Sequence, residues 1–129
     1  MFRTFRVALA AGVAVAGLTA VQAHAQEAAA LYADYYEAIS AYNMCSDQSK
    51  DRDLTLEQYN ALDDYIMTQL PTDLGAAAKL NIIESQHIRV NQMWAGKGCS
   101  GDVREAFDRF ATQLAPVIGV TARVQTTPG

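Results

Sequence analysis

The chain is predicted to be all-α: an up-down-up-down four-helix bundle stapled by one disulfide, following a cleaved signal peptide. Three observations predict it. Apolar residues recur at helical spacing in four stretches that short polar, Pro or Gly breaks separate. The only two cysteines, Cys45 and Cys99, fall at the ends of the first and third stretches, which share a pole in such a bundle. Residues 1–25 carry the pattern of an export signal.

In that first segment Arg3 and Arg6 precede an uncharged apolar run at 7–21, and Ala23 and Ala25 supply the small residues that a signal peptidase reads. The run holds 15 residues, short of the roughly 20 that cross a bilayer, so cleavage before Gln26 is expected rather than anchoring. The arginines are not adjacent and no Cys follows the run, which argues against twin-arginine export and against lipidation. A periplasmic or secreted location follows. Cleavage leaves 104 residues, read as a bundle domain at 26–120 and a flexible tail at 121–129. It also leaves eight basic side chains against fourteen acidic ones, a formal charge of −6. Such a surface repels phosphate backbones and anionic lipid, so neither nucleic acid nor membrane insertion is expected.

The first helix covers about 27–44, where Leu31, Tyr35, Ala38 and Tyr42 recur at spacings of 4, 3 and 4. A polar stretch at 46–53 ends at Thr55-Leu56-Glu57-Gln58, a capping box that opens a second helix with Leu56, Tyr59, Ile66 and Leu70 on its seam. Pro71 stops that helix by removing a backbone donor and restricting the residue before it. Thr72 or Asp73 is placed to cap a third helix whose inward stripe reads Ala76, Leu80, Ile83, His87, Val90 and Trp94. Gly96 and Gly98 end it. After Ser100 a fourth helix buries Val103, Ala106, Phe107, Phe110, Leu114 and Val117, with Pro116 set to kink or truncate it.

With both cysteines at helix ends in an exported chain, one Cys45–Cys99 disulfide is expected; a redox pair would sit closer in sequence as Cys-x-x-Cys. Two polar residues fall on apolar stripes. His87 is expected in the core, hydrogen-bonded to a tyrosine such as Tyr35 or Tyr42. Asp63 is expected to meet a tyrosine hydroxyl or Asn81, or to sit exposed at the edge of its stripe. The competing use of His87 is ligation of haem or a metal, with Met44, Met67 and Met93 as the soft partners available. No haem-attachment motif or paired Glu-x-x-His is present, and no metal or cofactor is expected. Asp47, Ser49, Asp51 and Asp53 have the look of a calcium loop, but Arg52 stands where the turn needs Gly and Gln58 where the loop needs Glu, so they read as a solvated loop. No hydrolase elbow, zinc-protease motif, phosphate loop or dinucleotide fingerprint occurs, and no catalytic residue is assigned.

What remains is surface. The third helix is apolar almost all round, and Ile82 and Met93 are expected to project outward with Ile88 beside the stripe; Tyr32 and Tyr36 are expected on the outer flanks of the first helix. These five residues form the expected interaction surface for a protein partner or a second copy of the chain. The order of aromatic helix, Cys45, polar loop, Leu54-Thr55 and Gln58, Leu62, Pro71, Ala76 to Ala78 and Cys99 resembles the small helical periplasmic immunity proteins that neutralise type VI secretion amidases. In size, export and one disulfide the chain is also similar to acid-stress periplasmic chaperones. Both resemblances imply a small exported protein-binding module, inhibitor-like, immunity-type or chaperone-like, and neither assigns a functional residue. The alternative is a bundle that holds a small ligand or haem.

Overall fold

The computed structural model describes residues 2–47 and 53–125, with side chains at 21–47 and 53–125. The described residues are helical, with no strand among them. The helices are α1 (Phe2–Cys45), α2 (Leu56–Thr68), α3 (Ala76–Lys97), α4 (Gly101–Arg109), a π-helical turn (Phe110–Leu114) and α5 (Ala115–Ile118). The calcium-like run lies mostly outside the described residues.

α1 is the central rod. Ala38, Ile39, Ser40, Ala41 and Tyr42 are buried in succession, and five consecutive residues at 100° each leave a helix no solvent face. Small side chains at 38, 40 and 41 let neighbours approach closely. α3 and α4 make the extensive interfaces with it, whereas α2 approaches α1 at few points. Side-chain pairs fix the directions. Asn43 bonds Tyr59 while Tyr32 and Tyr36 bond Asp63, so α2 runs against α1. Glu37 pairs with Arg89 and Cys45 bonds Cys99, so α3 runs with α1. Tyr42 stacks on Phe107 and Phe110, with ring centroids 6.1 and 4.2 Å apart, and Gln113 shares a hollow with Leu31 and Asp34, so α4 and the π turn run against it. The disulfide joins Cα atoms 5.8 Å apart at the pole where α1 and α3 both end.

Local signals behave as their chemistry requires. Thr55 Oγ1 accepts from the Gln58 amide at 3.1 Å and Gln58 Oε1 accepts from the Thr55 amide at 2.9 Å, a reciprocal capping box. Proline 116 has no N–H for the Thr112 carbonyl, and the preceding turn takes up the mismatch by widening to π, with the Ala115 amide reaching back to Phe110. Gly119, at φ 68°, then closes α5 in the left-handed conformation that a side chain would strain.

Three expectations are corrected. α3 begins at Ala76 with Gly75 as its N-cap, so neither Thr72 nor Asp73 caps it. Tyr32 and Tyr36 are buried, at 0% and 6% exposure, because they lie on the side of α1 that α2 and α3 cover, where both hydroxyls reach Asp63. The inward face of α3 carries Lys79, Ile82, Ile83, Gln86, Val90 and Met93, so Ile82 and Met93 pack on the core instead of projecting from it. That face is turned by about 60° from the expected stripe, counting 3.6 residues per turn. In that rotation the disulfide closes and Lys79 and Arg89 both reach carboxylates, on Asp63 and Glu37. Val124 bridges Ser46, the Gln125 amide donates to the Cys45 carbonyl at 2.7 Å and the Asp47 amide to that of Arg123 at 2.9 Å, which fastens 123–125 to the disulfide pole. Residues 126–129 lie outside the described residues.

Candidate functional site

Because α3 turns its Ile82 and Met93 side inward, its second apolar arc is left uncovered. Leu80 is 67% exposed, Ile88 49%, and Trp94 and His87 are exposed as well. α2, beside α3, presents Leu56 at 76% exposure, about two turns from the level of Asp63 and Lys79. Between the two helices, over α1, lies an open groove of about 640 Å³. Its walls are Leu56, Tyr59 and Asn60 from α2 and Ala76, Leu80, Ile83 and His87 from α3; its floor is Tyr32, Tyr36, Ile39, Ser40 and Asn43 from α1.

One end of the floor is a closed polar knot. Asp63 Oδ1 accepts from the Tyr32 hydroxyl at 2.6 Å and the Tyr36 hydroxyl at 2.9 Å, and Oδ2 accepts from Lys79 Nζ at 2.6 Å. The ammonium also lies 5.9 Å from the centre of the Tyr32 ring. Burial alone pushes the Asp63 carboxyl up, but the hydrogen bonds from Lys79, Tyr32 and Tyr36 outweigh it and hold the group below the usual carboxylate range. Burial first, and then the neighbouring carboxylate, raise both phenols well above the ordinary tyrosine value. The carboxylate is thus held ionised and the phenols protonated, with both carboxylate oxygens taken by donors. Such a knot joins three helices and neutralises Lys79; within it no base or nucleophile is left activated.

Farther along, Asn43 Nδ2 donates to the Tyr59 hydroxyl at 2.8 Å, which leaves the phenol proton free to donate into the groove. Ser40 is buried on the floor, and its hydroxyl has no hydrogen-bond partner among the described residues. A buried hydroxyl without a partner carries a desolvation cost that an occupant of the groove can relieve.

The expected site residues therefore divide. Asp63 meets two tyrosine hydroxyls and Lys79 rather than Asn81. His87 is exposed on the groove wall and not in the core, so neither Tyr35 nor Tyr42 holds it there. Ile88 is exposed, Tyr32 and Tyr36 are buried on the groove floor, and Ile82 and Met93 are partly buried against the core. Met93 packs on the core and His87 does not, which separates the two as ligands for one centre. Among the described residues no group of three His, Cys, Asp or Glu is placed to hold a metal ion. Leu56, Leu80 and Trp94, read from the sequence as core, are the residues that reasoning missed for the surface. The signal that could have found them is Lys79: a lysine beside the stripe needs a carboxylate, and Asp63 on α2 supplies it only if α3 turns.

Comparison with family models, with curated proteins and with solved structures gives no match to this chain.

Proposed function

We propose that this chain is exported, loses residues 1–25, and works in the periplasm or outside the cell as an up-down-up-down bundle that binds another protein through the α2–α3 groove. The reading is of a binding module, inhibitor-like, immunity-type or chaperone-like, with no catalytic step assigned to it. The observation that carries it is that Leu56 and Leu80, two leucines about two-thirds or more exposed, both line a single groove, one from α2 and one from α3. Scattered exposed leucines are ordinary on a small protein, but leucines converging on one concave surface are the mark of a docking site.

Export is supported by the disulfide and by where packing begins. Residues 21–27 are exposed although helical, and Ala28 is the first buried side chain of α1 described, two residues beyond the expected new N-terminus. Removal of the leader takes nothing described from the core. No helix among the described residues is long and apolar enough to cross a membrane.

The experiment is a pull-down from the native envelope with the mature protein and with a Leu56→Ser/Leu80→Ser variant, N-terminal sequencing fixing the cleavage point. The reading expects a partner that the wild type retains at stoichiometric yield and the variant does not. Equal recovery by both proteins contradicts it. A second reading, a small-ligand site, is favoured by the groove's volume and the unpartnered Ser40 hydroxyl; a ligand-dependent rise in melting temperature without any polypeptide partner is its signature.

A further inference from the structure

We infer that the occupant of the α2–α3 groove is a cationic amphipathic helix of another polypeptide, an inference that rests on the groove being the binding surface. Shape is the first ground. The α3 wall of the groove runs from Ala76 through Leu80 and Ile83 to His87, about 16 Å at 1.5 Å per residue, which matches about three turns of a docked helix. Two helices with an open trough between them accept a third rod by the same packing that builds a bundle.

Charge is the second ground. Glu57 and Asp64 stand one turn on either side of Asn60, so they border the α2 wall. Glu84 stands one turn from both Leu80 and His87, so it borders the α3 wall. All three are exposed and have no ion-pair partner among the described residues. Among the described residues the one Lys or Arg that lines the groove, Lys79, is neutralised by Asp63. An apolar trough with acidic lips complements a helix that carries leucine-like side chains on one face and lysine or arginine on its flanks. On the floor, the Ser40 hydroxyl and the Tyr59 phenol proton are available to a polar group on that helix.

The test uses fluorescence anisotropy on the mature protein with three synthetic peptides of about 18 residues, long enough to form a helix on docking. One is a Leu/Lys peptide patterned as an amphipathic helix, one has the same composition scrambled, and one is patterned with Glu in place of Lys. The patterned Leu/Lys peptide is expected to bind at least about tenfold more tightly than either control. Leu56→Ser/Leu80→Ser is expected to remove that advantage, and Glu57→Lys/Asp64→Lys/Glu84→Lys to transfer it to the Leu/Glu peptide. All five positions are exposed, and a thermal melt of each variant verifies folding. Equal binding of the scrambled peptide reduces the effect to bulk attraction and overturns the inference. Equal binding of the Leu/Glu peptide overturns the cationic occupant while a wall-dependent affinity still upholds the groove; wall variants that bind like wild type overturn both. Uptake of the neutral probe N-phenylnaphthylamine into the groove, with no peptide bound, assigns it to a small apolar ligand and overturns the inference as well.

Discussion

Asp63 is the residue on which the most partners converge, and its behaviour follows from being half-buried among donors. Replacing it by Asn keeps the size but removes the charge that balances Lys79 and turns one acceptor oxygen into a donor facing Lys79 or the two phenols. A loss of about 1–2 kcal/mol in unfolding free energy is expected, less than for a fully buried pair because water reaches both Lys79 and Asp63. The pH dependence has a definite sign. Asp63 and Glu37 both have folded-state values below their ordinary ones: burial opposes ionisation, and Lys79 and the tyrosines in one case, Arg109 and Arg89 in the other, more than reverse it. The unfolded chain therefore takes up protons first as pH falls. The stabilisation is complete above about pH 5 and is lost as pH falls through the two folded-state values. Denaturant melts between neutral and acid pH should show that decline in the wild type and a shallower one in Asp63→Asn; identical slopes would separate the knot from acid stability.

At the scale of elements, the helices and their cross-link were legible in the sequence and the orientation of one helix was not. Pro71, the Thr55–Gln58 box and Gly98 are local devices whose effect depends on their own backbone, so their positions announce helix ends without tertiary information. The cysteines announced a shared pole because bundle topology brings the first and third helix ends together; closing that span contributes about 4 kcal/mol in the chain-entropy account. α3 is different. Its apolar residues form two overlapping arcs, Ala76–Leu80–His87–Trp94 and Ile82–Val90–Met93, and periodicity alone cannot rank them. Long-range pairs decide, Lys79 with Asp63 and Arg89 with Glu37, and with them went the burial of Tyr32 and Tyr36 and the whole groove. The observed orientation makes a discriminating prediction: Ile82→Ala should cost about 1–2 kcal/mol, since it opens packing against the core, and Leu80→Ser less than about 0.5 kcal/mol, since its side chain faces solvent. The opposite ranking by urea melts would restore the stripe read from the sequence.

For the whole molecule, the packing of α2 and α3 on α1 leaves a groove between the two outer helices, and the exposed leucines of both line it. A small domain that keeps two leucines uncovered on the walls of one trough sacrifices solubility unless something covers them, and the acidic lips restrict what does. The most direct measurement places a photo-crosslinking residue at position 80 and, as control, at the exposed position 104 on α4, and irradiates the protein in its native compartment. The account predicts an adduct from position 80 with another polypeptide whose linked segment is basic and amphipathic, and no corresponding adduct from position 104. Adducts that form equally from both positions, or none from position 80, would contradict it.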